Sequence, residues 1–387
     1  MTRHPKALIL THHLFELGGS ELVAIEAANA LANHAAEVTV HAPFFDAAFL
    51  KNAFREGVEF VEKAADISLP DFDLVYSHHQ VLSGLIVAHF ASLRGADRLP
   101  YIVCNHLSGH EPFEFPGPFI EAQVADEIWC NSAETKRALA RFGARFEEAR
   151  IVPNPSPAGF TAEPAPCVGL KRILSISNHL PNEVTEALEI ISGHGVEVER
   201  IGRPSHARRV IPDDIKSADA LISIGKSVQY ALIAHRPVYC YDWFGGPGWL
   251  TADTFEAAAD RNFSGRCSRS VRSAQQIAHE ILTGFEDAWR FTAALNDADL
   301  QDYIWPQHIG PLLGRVCGKE GAVGGRLRRV IDAMSGSDVP NQWLHEADLY
   351  RLIEREYGNA RRHQARGKSL ASQIAQLRAN QTVGSPP

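Results

Sequence analysis

The chain has 387 residues, enough for two domains of ordinary size. Its apolar share of 45% is that of a globular protein, and its net charge of −8 argues against a nucleic-acid partner held by bulk electrostatics. Six scattered cysteines (104, 130, 167, 240, 267 and 317) without a C-x-x-C argue against a disulfide framework and a structural zinc. No apolar run reaches the ~18 residues of a membrane span, and the N-terminus lacks signal-peptide character, so a cytoplasmic protein is expected.

In chain order, KALILTHH (6–13) predicts a strand and ELVAIEAANALANH (21–34) a helix with apolar residues at helical spacing. EVTVHAP (37–43), VEFVE (58–62), DLVYSHH (73–79), YIVCNH (101–106) and EIWCN (127–131) read as further strands. SAETKRALARFG (132–143) predicts a helix that stops at its glycine, and RIVPNPSP closes this half. The proline-rich stretch 154–170 marks a linker. A second alternation follows: strands at 172–177, 196–202, 219–225 and 237–242, with helices at 182–195, 211–218 and 226–235. Strands alternating with helices imply parallel sheets flanked by helices. The expected domains are 1–156, 157–320 and a helical tail at 321–387. That tail should be a solvated helix broken near Gly358 and Gly367, with the last residues disordered.

The tripeptide Gly225-Lys226-Ser227 ends like a phosphate-binding loop, but the leading glycine would fall at Ala220, and Leu221–Ile224 belong to a strand. What remains is a strand that ends at Gly225 and a helix that starts at once. Free N–H groups, the Ser227 hydroxyl and the Lys226 ammonium would make an anion site at the carboxyl edge of a parallel sheet. The loop FGGPGWL after the strand PVYCYD adds Gly245 and Gly246 for close ligand approach, with Trp243, Phe244 and Trp249 as flat faces.

These pieces, in this order, resemble a GT-B glycosyltransferase of family 4. HHLFELGGSELVAIEAANALANHAAEVTVHAP resembles that family's first strand, Gly-Gly loop, helix and second strand. YIVCNH resembles the strand ending in its active-site histidine, EIWCNSAETKRALARFG and ARIVPNPSP resemble the close of its first domain, and SADALISIGKSVQYALIAHRPVYCYD sits at its nucleotide-binding helix. The resemblance implies an α/β protein of two facing Rossmann-like domains that transfers a sugar from a nucleotide-sugar co-substrate to a glycan, lipid-linked or protein acceptor. It implies donor phosphate near Gly18 and Gly19 and His106 near the donor sugar. The chain departs from the pattern in two places. The loop SNHLPNE after the second domain's first strand lacks the usual Arg and Lys, leaving Asn178 and His179 to line the cleft. The two glutamates eight residues apart are replaced by Ile222 and Tyr230. Lys226 is the expected replacement charge for the diphosphate. A nucleotide-sugar epimerase, a polyol-phosphate transferase and a non-catalytic glycan- or partner-binding module are the alternatives on this fold. Peripheral membrane contact and self-association through the C-terminal helix fit the same sequence.

Three strands of the first half end in histidine: His12 and His13, His78 and His79, and His106, with His110 and Glu111 in the loop beyond. Parallel strands would gather these on one rim, where a histidine suits proton transfer. His106 is expected nearest the chemistry, with His12, His13, His79, His110 and Glu111 lining the acceptor side. A zinc cluster is the competing reading, but the spacing matches no zinc motif, and neighbouring strand residues point opposite ways. No metal or cofactor is expected.

Overall fold

The computed structural model describes residues 4–34, 36–203, 206–318, 325–334 and 338–383. Seven short strands form the first sheet: β1 (Lys6–Leu10), β2 (Glu37–His41), β3 (Val58–Val61), β4 (Leu74–His78), β5 (Tyr101–His106), β6 (Glu127–Cys130) and β7 (Arg150–Ile151). Their order is β3-β2-β1-β4-β5-β6-β7, and every pairing is parallel. β1, β4 and β5 are buried almost throughout, as strands covered on both faces must be. Helix α1 (Gly19–Asn33) packs its Val23, Ala24, Ala27, Ala28 and Leu31 face against one side, while α2 (Val81–Ala88) covers the other. Helix α3 (Ala133–Leu139) begins where the Ser132 hydroxyl accepts the Thr135 N–H.

The second sheet has five strands: β8 (Arg172–Ile176), β9 (Glu197–Ile201), β10 (Ala220–Ser223), β11 (Val238–Asp242) and β12 (Gly245–Trp249), ordered β9-β8-β10-β11-β12. Helices α4 (Asn182–Gly193), α5 (Lys226–Ile233) and α6 (Ala274–Ala294) flank it. The β11–β12 pair is antiparallel, so this sheet is mixed, and the segment expected to be a ligand loop is a strand. Gly245 (φ +87°) and Gly246 serve that packing: an added Cβ would stand 2.3 Å from the Ser270 carbonyl oxygen and 2.1 Å from that of Cys240.

The chain then crosses back. Trp305 and the Ile309, Leu312 and Val316 face of α7 (Pro306–Cys317) join the α1 side of the first core. Leu327 and Ile331 of α8 (Arg326–Ala333), with Trp343 and Tyr350 of α9 (Asn341–Val383), join the α2 side. The second domain therefore ends near Ile304, short of the expected 320. The expected solvated tail is, from 326 to about 357, a wall of the first domain. Its helix runs unbroken through Gly358 and Gly367, and its Trp343, Ala347 and Tyr350 face is buried. Of the stretch TVGSPP (382–387), expected to be disordered, Thr382 and Val383 end the helix and residues 384–387 lie outside the described residues.

Strand order reverses between β1 and β4 in the first sheet and between β8 and β10 in the second. Ligands of open α/β sheets bind beyond the carboxyl ends of strands at such reversals. Those four exits carry His12–His13, His78–His79, Ser177–His179 and Gly225–Lys226.

Candidate functional site

The two reversals face one another across the domain junction. Asn178, after β8, donates from Nδ2 to the carbonyl of Leu17 at 3.0 Å, and its Oδ1 accepts the Arg203 N–H. Arg203 pairs with Glu16. The start of α1 thus sits against the exits of β8 and β9. Space beside the Cα of Gly19 is open: a Cβ there would meet nothing within 4 Å. Gly18 is crowded instead by Glu21, which curls back over the helix start. His179 is exposed at this mouth and its N–H bonds to Ser177 Oγ at 3.1 Å.

The histidines do gather, but most are enclosed. His12 is fully buried. Burial, with His79 and His13 close by, pushes its pKa down to about 2. His78, also buried, is held near 3 mainly by burial and then by His79. His79 sits in a left-handed turn (φ 60°), accepts the His12 N–H at 3.2 Å and lies 3.4 Å from Glu114 Oε1. Burial works against the Glu114 charge, yet His79 and the Leu107 N–H hold its carboxyl down at about 2.

His106 departs most from expectation. It is 1% exposed, and both ring nitrogens are engaged. Nδ1 donates to the Glu114 carbonyl at 2.8 Å and Nε2 meets Glu121 Oε1 at 2.6 Å. Burial disfavours the charged ring, but the Glu121 carboxylate outweighs it and raises the pKa. Both ring nitrogens of His106 are therefore turned to acceptors inside the first domain. Glu121, which also accepts the Gly117 N–H at 3.1 Å, carries no motif and was invisible in the sequence.

His13 keeps an open side. Its side chain is 18% exposed, with Nε2 at 3.4 Å from Glu21 Oε1 and Nδ1 at 3.2 Å from His12 Nδ1. Glu21 lies in the run GGSE beside the Gly-Gly loop, so its position was legible even though its role was not. His110 is exposed and 3.7 Å from Glu134, on the far flank where Glu134 also binds Arg261 and Arg266 of the second domain. Glu111 is exposed nearby, with its N–H directed at Ser108 Oγ.

The tip of α5 is spent inside the protein. Lys226 Nζ pairs with Glu26 Oε2 of α1 at 2.6 Å and donates to the carbonyls of Asn154 (2.9 Å) and Pro155. Those three acceptors use all three ammonium donors, so the expected diphosphate grip is replaced by an interdomain ion pair. Gly225 (φ +56°) shapes that turn. Ser227, half-buried, stays beside it. Ile222 and Tyr230, at the places of the family's two glutamates, are both in the core. Among the described residues, no three His, Cys, Asp or Glu side chains are grouped as metal ligands, and no helix is long and apolar enough to cross a membrane.

The comparisons bear on this geometry. Residues 17–156 match the model of Glycosyltransferase Family 4. Solved structures of HepE from Anabaena have the same fold: the complex with UDP and glucose matches at TM-score 0.51 and 15% identity, over 81% of this chain and 99% of that one. Its complex with UDP-glucose matches at 0.52 and 14%, over 80% and 100%. The chain has the GT-B fold and resembles glycosyltransferase family 4. No curated protein matches it. In this GT-B frame Gly18–Gly19 and Asn178–His179 lie on opposite sides of the domain junction, joined by the Asn178–Leu17 bond.

Helix α9 also packs against the strand exits of the first domain. Tyr357 packs its ring against His12 (4.8 Å), Phe44 (5.2 Å) and His13 (6.0 Å, near-parallel). The Arg361 guanidinium lies 3.2 Å over the Phe15 ring. Glu346 anchors the helix by accepting Ser83 Oγ and the N–H groups of Phe119 and Ile120. Sequence reasoning missed these residues because contacts across more than 220 positions leave no local signature.

Proposed function

We propose that this protein transfers a sugar from a UDP-sugar to a hydroxyl acceptor, without a metal, in the cleft between Gly18–Gly19 and Asn178–His179. The observation that carries the reading is the junction of the Gly18–Gly19 helix start, inside the segment that matches family 4, with the β8 exit, held by the Asn178–Leu17 bond. Backbone N–H groups at the start of α1 are free of helical partners and suit phosphate oxygens. Arg203 supplies the cation that the family pattern places after β8. The UDP and UDP-glucose complexes of HepE support a uridine donor.

His13 is the proton acceptor in this reading. Glu21 holds Nε2–H, leaving Nδ1 to exchange its contact with His12 for the acceptor hydroxyl. The acceptor oxygen then attacks the anomeric carbon, the C–O bond to the diphosphate breaks, and UDP leaves with the electron pair. The catalytic contribution is mainly the holding of that leaving group and the orientation of the hydroxyl.

Calorimetry with UDP, followed by donor turnover assayed as UDP release, tests the reading. Micromolar UDP binding, with turnover lost in His13→Ala but binding retained, is expected. Retained turnover in His13→Ala removes the base assignment. A second reading, a GT-B module without catalysis, is favoured by one feature: neither Ile222 nor Tyr230 offers a carboxylate to a donor. Absence of both UDP binding and UDP release decides for it.

A further inference from the structure

Helix α5 does something other than face a ligand. Its first residue, Lys226, and the Glu26 it meets are 5% and 1% exposed. Its second turn adds Tyr230, whose hydroxyl donates to Glu26 Oε1 and whose ring stacks on Phe160 at 4.1 Å and 7°. The two carbonyls that Lys226 also holds belong to Asn154 and Pro155, where the chain leaves the first domain. One buried cluster therefore ties together a helix of the first domain, the connecting segment and a helix of the second. Other charge pairs across the junction are more exposed: Arg137–Asp260 is 59% and 32% exposed, Arg203–Glu16 is 43% and 44%, and Arg266–Glu134 is 27% and 12%.

We propose that Glu26, Lys226 and Tyr230 form an interdomain pin that fixes the angle between the two domains in the free protein, so that the cleft has its width before any donor arrives. The physical reason is an asymmetry. Rotation of one domain separates exposed pairs into water at little cost. The same rotation separates a buried ammonium from its carboxylate partner and leaves both without compensation. The helix that the family-4 pattern aims at the donor is here turned to the hinge. These three are positioning residues, and nothing in the inference depends on sugar transfer.

The chain carries its own probes. Cys167 and Cys317 are exposed, while Cys104, Cys130 and Cys240 are buried. Cys167 precedes β8 in the second domain, and Cys317 ends α7, which packs on the first. With Cys267→Ser as background, spin labels at these two sites report the interdomain distance by pulsed dipolar spectroscopy on the full chain without ligand. A single narrow distance is expected. Glu26→Ala should widen that distribution at least twofold and Glu26→Gln by less, while Arg137→Ala leaves it unchanged. A broad distribution in the parent overturns the proposal. So does a parental width in Glu26→Gln that still melts cooperatively, and this second variant decides the matter if Glu26→Ala does not fold. No donor is added, so a protein that binds no UDP still gives the answer.

Discussion

The two domains offer the same local device with opposite outcomes. α1 and α5 each begin at glycine just beyond the carboxyl edge of a parallel strand, one at Gly18–Gly19 and the other at Gly225. The α1 tip opens on the cleft, with empty space beside Gly19 and the exposed edge of His13 nearby. The α5 tip closes on the domain junction, with its lysine consumed by Glu26 and two carbonyls. A charged residue at a helix start is thus no sign of a free anion site. A lysine buried at such a tip must find acceptors, and those acceptors then exclude a ligand.

The sharpest way to break this contrast is to remove the partner of the closed tip. Glu26→Ala leaves the Lys226 ammonium buried with only two carbonyls. It should cost about 3–5 kcal/mol of stability, read as a lower urea midpoint at constant slope. Replacing both members, Glu26→Leu with Lys226→Met, should recover most of that loss, because an apolar pair carries no desolvation penalty. If the single variant melts like the parent, Lys226 is not held as described.

Acid should distinguish the two regions next. His12 and His78, behind the open tip, are folded with pKa values near 2 and 3. The unfolded chain binds their protons from about pH 6.5 downward, and the folded chain does not. Their contribution is complete above that pH and falls as pH drops, by about 2.7 kcal/mol per pH unit for the pair. His106 behaves in the opposite sense. Its raised pKa gives a contribution that is complete below about 6.5 and is lost as pH rises through the folded value, so it offers no relief in the acid window. Urea midpoints at pH 7 and pH 5.5 check the slope, and His78→Gln should reduce it.

Much of this was legible in the sequence, for reasons that also explain what was not. The alternation of apolar runs with helical periodicity located both Rossmann-like halves and the linker, because burial on both faces forces such runs. Histidines at strand ends were correctly gathered, since parallel strands share a carboxyl edge. Which of them meet solvent was not legible. That depends on Glu121, Glu114 and Tyr357, which come from a short helix, a 3-10 turn and the C-terminal helix. The glycines of FGGPGWL pointed to backbone proximity, and the proximity is real, but the close neighbours are the backbones of residues 240 and 270.

The C-terminal helix supplies a smaller test of the open side. Tyr357→Ala removes ring contacts with His12, His13 and Phe44 and should cost about 1–2 kcal/mol. The more informative readout is the His13 ring, whose NMR signals should shift and exchange faster with solvent once its covering ring is gone. An unchanged His13 signal would show that α9 does not shield the mouth.

The smallest expected effects come from the glycines of the open tip, and they separate fold from ligand. Neither Gly18 nor Gly19 has a positive φ. At Gly19, alanine enters open space and removes the glycine penalty in a helix, so stability should rise by up to about 1 kcal/mol. At Gly18, a methyl group would meet Glu21 Oε2 at 2.3 Å, and that flexible carboxylate must swing away from its place near His13. Stability should change little there. If the tip receives a diphosphate, the Gly19 methyl group stands where the phosphate approaches, and UDP affinity measured by calorimetry should drop several-fold although the protein is more stable. A stabilised Gly19→Ala protein with undiminished UDP affinity would place the nucleotide elsewhere in the cleft.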